Sequence, residues 1–512
     1  MVIKEILTPE VNPAITASML YDLVHCPHRV WMDLFADPTK RDKASPFVQL
    51  LWERGAAHED EVIERISGTF LDLSHCRGDE RERQTLAAME DGAELIYSGR
   101  IISGDLLGEP DLLRREGTGY VAGDIKSGAG EEGATDESEG KPKKHYAVQL
   151  ALYTDVLERL GRSPGRRAFV WDIHGREVLY DFEADGGNGK SQRLWDYYQE
   201  CLAEARAIVG GKKRTLPAYA SGICKSCLWY TACIDVLETA NDLTLIPELG
   251  RSKRDVMFNQ VHSIRELAEA NVDNFINGQK TVFPGIGLAT LAKAQARAQL
   301  LTTGAKPYLR APVVFPSAAR ELFFDIEVDP MRDICYLHGF VERRDGDNAT
   351  ERFVFFLAED PIEEAEERAF ADAVRYIQSA QPCAIYYYSK YERTVYRALR
   401  KKYPHVCTEA EIEAIFDPAV AVDLYFDVVL KSTEWPTRDF SIKTLAKYLG
   451  FTWNDPHPSG AASIEWFDRW VKQRDPTVRK QILVYNEDDC RATRVLLDGI
   501  RQLSVRSKEA RS

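Results

Sequence analysis

No run of apolar residues in this 512-residue chain is long enough to cross a membrane, and no signal-like segment opens it, so a cytoplasmic protein is expected. Positive charge is not in excess. Lysines and arginines number 66 against 80 aspartates and glutamates, a net charge of -14, which excludes indiscriminate coating of nucleic acid but leaves room for a local basic path such as Lys212-Lys213-Arg214. No GxxxxGK[ST] phosphate loop is present, so the chain carries no motor of its own, and any unwinding would need a helicase partner. Cysteine is sparse. Of the ten, six stand singly at positions 76, 201, 335, 383, 407 and 490, a scatter that argues against a disulfide framework. The length predicts about three domains, and a hydrophobic content of 44% is enough for ordinary cores.

The remaining cysteines are grouped. Cys26 lies near the start, and Cys224, Cys227 and Cys233 cluster almost two hundred residues later. Four thiolates gathered from both ends of a segment would hold one metal centre and tie that segment into a domain. Taken alone they fit an iron-sulfur cluster and a zinc site alike.

Between them, Trp52 to Ile66 reads as a helix with Leu51, Gly55, His58, Val62 and Ile66 on the face turned to the core. An antiparallel ribbon follows, in which Asp111 and Asp124-Ile-Lys126 fall on strands joined by a Glu-Gly-Thr-Gly turn. Alternation puts Asp124 and Lys126 on one strand face. Two carboxylates, a histidine and a lysine so placed suit metal-dependent phosphodiester cleavage. The acids and imidazole hold a divalent ion, and the lysine stabilises developing charge. A helix from His145 to Leu157 then sets Gln149 and Tyr153 one turn apart.

This ordered set, over residues 14 to 235, resembles the RecB-like branch of the PD-(D/E)xK nucleases, which includes CRISPR-associated RecB-type exonucleases and the AddB nuclease domain. The resemblance implies that His58, Asp111 and Asp124 bind Mg2+ or Mn2+, that Lys126 is the catalytic lysine, and that Gln149 and Tyr153 contact DNA near the scissile phosphate. It also implies that Cys26, Cys224, Cys227 and Cys233 bind a 4Fe-4S cluster.

Residues 236 to 310 read as entirely helical. Pro284-Gly285-Ile286-Gly287 resembles the hairpin of a helix-hairpin-helix element, with Leu249-Gly250-Arg251-Ser252-Lys253 as its degenerate partner, a means of gripping phosphates without reading sequence. The alternative is an ordinary glycine turn between helices.

From residue 311 strands and helices alternate. In ELFFDIEVD, Phe324, Ile326 and Val328 share one face and Asp325 and Glu327 the other. Late in the chain Ile482, Tyr485, Asp489, Thr493 and Leu496 recur at helical spacing. Asp-x-Glu on a first strand with Tyr-x-x-x-Asp on a late helix resembles the DEDDy exonucleases of the DnaQ-like, RNase H-type fold. That resemblance implies two-metal hydrolysis with Asp325, Glu327, Glu392 and Asp489 as ligands and Tyr485 orienting the water. Glu392 stands where the family has an aspartate, and Asp423 offers a further carboxylate.

The expected fold class is therefore multidomain α/β. It comprises a restriction-endonuclease-like domain (1-235), a helical connector (236-310) and an RNase H-like domain (311-512). The expected function is metal-dependent cleavage of DNA, single-stranded or flapped, in repair or processing. The alternatives are an inert nucleic-acid clamp serving a helicase, or an exonuclease directed at RNA.

Overall fold

The computed structural model describes residues 13–133, 140–184 and 192–506. They divide into two compact units, one drawn from 1–44, 48–217 and 223–233, the other from 45–47, 218–222 and 234–512.

The first unit is built on a six-stranded mixed sheet: β1 (Leu71–Asp72), β2 (Leu95–Tyr97), β3 (Leu112–Glu116), β4 (Gly119–Ile125), β5 (Arg167–Trp171) and β6 (Glu177–Asp181), lying side by side in chain order. β3 and β4 are antiparallel, with Leu112 opposite Gly123, while β4 and β5 run parallel. Every residue of β4 is buried, because both faces of the sheet are covered. Tyr120 and Ala122 face a core shared with helices α1 (Ala17–His25), α4 (Lys144–Arg159) and α5 (Leu194–Val209), and Val121 and Ile125 face a second core. Val62, Ile63 and Ile66, from α3 (Pro46–Glu64) and the residues just after it, pack on that second core. Helix α2 (Pro27–Phe35) follows α1 after a single residue, Cys26.

The helix expected from Trp52 starts six residues earlier, at Pro46, and its core-facing stripe needs correction. Leu51 is exposed, and His58 and Val62 are only half-buried. Only its C-terminal part, through Val62, Ile63 and Ile66, packs on the core over the inner strands of the sheet.

The second unit contains α6 (Gly250–Met257), α7 (Ile264–Glu269) and α8 (Leu288–Thr303), packed around Leu243, Leu267, Phe283, Ile286 and Leu291. Gly250 is the first residue of α6, and Pro284 to Gly287 lead into α8. Residues 236 to 310 are not entirely helical, however. Ile276–Asn277 pairs antiparallel with Lys280–Thr281 through a two-residue loop, Gly278 taking φ 62. Glycine at the first loop position is a hairpin signal that outweighs the helical rhythm around it.

The rest of this unit is a five-stranded sheet in the order β9 (Asp347–Leu357), β8 (Ile334–Arg344), β7 (Arg320–Asp329), β10 (Ala384–Tyr387), β11 (Ala421–Asp423). The first three strands are antiparallel, and β10 and β11 join parallel to β7. Phe324 and Ile326 point into a core with α9 (Glu363–Ala380) and α10 (Tyr391–Lys402). Phe323 points the other way, toward Cys490 and Leu496 of α13 (Pro476–Arg501). Two further helices, α11 (Ile442–Tyr448) and α12 (Gly460–Gln473), precede α13. The two-residue alternation of β7 thus turns Asp325 toward α13.

Candidate active sites

In the first unit the turn between β3 and β4 folds Asp111 back beside Asp124. The Ile125 amide donates to Asp111 Oδ2 at 2.8 Å, and the Asp111 amide lies 3.4 Å from Asp124 Oδ1. Lys126, one residue beyond β4, is fixed by its own amide on Trp171 O at 2.9 Å, and its Nζ forms an ion pair with Asp124 Oδ2 at 2.8 Å. Burial pushes the Asp111 carboxyl well above the carboxylate range, and the neighbouring Asp124 pushes it further. Burial alone would lower the pKa of Lys126, but Asp124 and Asp111 outweigh it and raise it. The ammonium therefore stays charged beside the two acids.

Helix α4 brings Gln149 and Tyr153 to the same face of the sheet. Tyr153 is buried, donates to Glu109 O at 3.3 Å, and has its phenol pKa raised by burial and then by Asp124 and Asp111. Gly108 makes the approach possible, since a Cβ there would come within 2.7 Å of the Tyr153 ring. Gln149 Oε1 and His58 Nε2 are buried polar atoms with no hydrogen-bond partner, which leaves both open to an ion or substrate. Glu59, which sequence reasoning passed over, accepts from Tyr97 OH at 2.9 Å and adds to the rise at Asp111. The His58, Asp111 and Asp124 ligand atoms do not, among the described residues, form a group within 4.8 Å of one another.

Such a group does form in the second unit. Asp325, Glu327 and Asp489 offer ligand atoms that all lie within 4.8 Å of one another. Each acid is held by neighbours. Asn486 Nδ2 donates to Asp325 Oδ2 at 2.7 Å, and Trp453 Nε1 donates to Asp489 Oδ1 at 2.7 Å. Ser463 and Asn486 hydrogen-bond Glu327. Lys443 Nζ donates to Tyr485 OH at 2.8 Å and lies 3.4 Å from Asp489 Oδ2. Burial, then Glu327 and Asp489, push Asp325 well above the carboxylate range; burial and Asp489 raise Glu327 to about 8. Crowded acids like these bind protons or a divalent cation, and the donor set of hard oxygens suits Mg2+ or Mn2+.

Glu392, in the first turn of α10, is not part of that group. It is 4% exposed, its Oε2 has no partner, and burial pushes its carboxyl up to about 8. Asp423 has a different task. Its Oδ1 accepts from the Ser389, Tyr425 and Phe426 amides at 3.2, 2.9 and 3.0 Å, shaping the turn that precedes α10 and the start of the segment after β11. Ser389 itself takes φ 121, a strained conformation beside Glu392. Lys443, Trp453, Ser463 and Asn486 were not found from sequence. Only Asn486, next to Tyr485, carried a signal.

The four grouped cysteines are all half-buried and belong to the first unit. Cys26 sits between α1 and α2, and the segment carrying the others docks beside it. Trp229 Nε1 donates to Asp33 Oδ1 at 2.8 Å, Asp42 N to Leu228 O at 2.7 Å, and Cys227 N to Cys224 O at 3.0 Å. Burial raises the Cys227 thiol, with Cys26 and Cys224 adding to the rise, so the three thiols share one neighbourhood. Soft donors from both ends of a unit fit an iron-sulfur or zinc centre. Of the basic path, Lys212, Lys213 and Arg214 are exposed, and Lys213 pairs with Glu204 at 2.6 Å.

Two α/β domains, each with paired or clustered carboxylates, fit a metal-dependent phosphodiester hydrolase. Residues 27–234 match the PD-(D/E)XK nuclease superfamily and residues 322–500 the RNase H superfamily. The chain carries a domain of each, and both superfamilies cleave phosphodiester bonds. No curated protein is significantly similar to the chain. No helix among the described residues is long and apolar enough to cross a membrane.

Proposed function

We propose that this chain is a cytoplasmic DNA repair or processing nuclease that trims unpaired strands or flaps, with one metal-dependent site in a domain of residues 1-235 and another in a domain of residues 311-512. The observation that carries the reading is the gathering of Asp325, Glu327 and Asp489 within 4.8 Å of one another, an arrangement that repels itself unless a proton or a divalent ion is bound. Asp325, Glu327, Asp489 and Glu392 hold Mg2+ or Mn2+ there, and Tyr485, fixed by Lys443, orients the water.

In the first domain His58, Asp111 and Asp124 hold the ion. Lys126 steadies charge on the phosphate, and Gln149 and Tyr153 position the strand. A bound divalent ion would supply Lewis-acid activation of water and phosphate at each site. Cys26, Cys224, Cys227 and Cys233 hold a 4Fe-4S cluster with a structural role. The connector of residues 236-310 grips phosphates through its glycine turns, and a separate helicase supplies unwinding.

The test is cleavage of end-labelled single strands with Mg2+ or Mn2+ by anaerobically purified protein carrying Asp124→Ala, Asp489→Ala or both. Each single change is expected to remove one activity by a factor of ~1000 or more, the scale of lost metal and electrostatic catalysis. Undiminished cleavage by the double variant would overturn the reading. Lys126→Ala is expected to retain DNA binding and cleave slowly.

A further inference from the structure

Helices α1 and α4 bring four aromatic rings together beside Lys126, outside the machinery described above. Tyr21 and His25 stand one turn apart on α1 with ring centroids 4.8 Å apart, and His145 and Tyr146 open α4 with centroids 4.6 Å apart. The two pairs interlock: Tyr21 is 5.1 Å from His145 and stacks on Tyr146 at 6.4 Å, and His25 is 4.8 Å from His145. Lys126 Nζ, already paired with Asp124, lies 5.6 Å from the Tyr146 ring centre, and Lys143 Nζ lies 5.2 Å from it.

All four rings are half-buried, whereas α4 from Ala147 to Leu157 is buried at every position except Gln149. The rings therefore sit where α4 emerges from the core toward solvent, next to the lysine that would meet the scissile phosphate. Burial lowers His145 to about 4, so this imidazole at the centre of the group is neutral at physiological pH and stacks without a cation to desolvate. Nearby charge comes from Arg29, paired with Asp22 at 3.0 Å, and from the lysines.

We propose that Tyr21, His25, His145 and Tyr146 form a base-stacking platform for the one or two unpaired nucleotides next to the cleaved bond, with Lys143 and Lys126 taking the adjoining phosphates. Neutral rings flanked by lysines are the usual grip on a single strand, because every base has a π-face and every linkage a charge. Such a platform would favour unpaired over paired ends at this site, because a base in a duplex already has both faces stacked. The inference rests on the nuclease reading of the first domain and adds its substrate requirement.

The test uses the full chain with Asp489→Ala to silence the other site. Single-stranded DNA with one abasic spacer, walked along the strand, is compared with intact strand in the parent and in the Tyr21→Ala/His145→Ala variant. Stacking of a base is worth about 1–3 kcal/mol, so in the parent a spacer at one or two positions beside the cut is expected to lower kcat/KM about tenfold. In the double variant this positional gap should collapse, and Tyr21→Phe, which keeps the ring, should restore it. A double variant that loses intact and abasic strands by the same factor, with the positional gap retained, would overturn the platform.

Failure of the nuclease reading shows separately, as a parent that cuts neither strand. The platform is then decided by 2-aminopurine fluorescence in bound single strands. Quenching by the parent and not by the double variant supports it; no quenching by the parent overturns it.

Discussion

A methyl group at position 339 would lie 1.6 Å from Asn486 Oδ1, closer than any non-bonded pair can approach. Gly339 faces Asp325 across the β7–β8 ladder, so the missing side chain is what lets Asn486 reach Asp325 at 2.7 Å. Gly339→Ala is expected to displace Asn486, cost about 1–3 kcal/mol through overpacking, and weaken the second site. Thermal melts and cleavage in an Asp124→Ala background check both effects, and wild-type values in both would refute the argument. Glu392 poses the opposite problem, a side chain one methylene longer than the aspartate of the DEDDy pattern, buried with an unpartnered Oε2. Glu392→Asp should raise the Mn2+-dependent rate of this site severalfold if the residue reaches a metal, since ligand placement within fractions of an ångström governs such steps. An unchanged rate would assign Glu392 to packing.

At the scale of elements, β7 and α13 hold the acids against their own repulsion. The Glu327 carboxyl rises from an ordinary 4.5 to about 8, and Glu392 does the same. A raised pKa means that the folded chain binds the proton more tightly than the unfolded chain. The resulting stabilisation is complete below about pH 4.5 and is lost as pH rises toward 8. Metal-free protein is therefore expected to melt at progressively lower temperature from pH 5.5 to pH 8. Mg2+ or Mn2+ should recover several degrees at pH 8, at roughly 2–4 °C per kcal/mol for a domain of this size. Asp489→Asn should flatten the slope in EDTA. A melting temperature that is flat across this range would contradict the electrostatic account.

At the scale of the molecule, the proposed metal centre on the cysteines at the two ends of the first unit would tie its opening helices to its closing segment, where Trp229 and Asp33 already meet. Cross-linking distant chain positions stabilises mainly by restricting the unfolded chain. Cys227→Ser in anaerobically prepared protein is expected to lose most of the iron and several degrees of melting temperature, while the Mn2+-dependent activity of the second site persists. Stoichiometric zinc without iron in the parent would remove the iron-sulfur assignment and leave the tie itself standing.

The fusion of two nuclease-superfamily domains was legible because its signals are local. Asp-Ile-Glu alternates on a strand, Tyr485 and Asp489 keep a helical step, and Asp124-Ile-Lys126 needs only a pleat. Periodicity also found the helices that carry His58, Gln149 and Tyr485, but it missed the hairpin at Gly278, where a turn residue prevails over a helical rhythm, and it overextended the buried stripe at Leu51. Only the tertiary structure decided what holds the acids, because Lys443, Trp453, Ser463 and Asn486 reach them from four separate segments of the second unit. It also separated Glu392 from the clustered trio and gave Asp423 to a turn. Sequence order specifies which side chains share a face, and hydrogen-bond geometry between distant segments, which no local pattern encodes, specifies which of them meet.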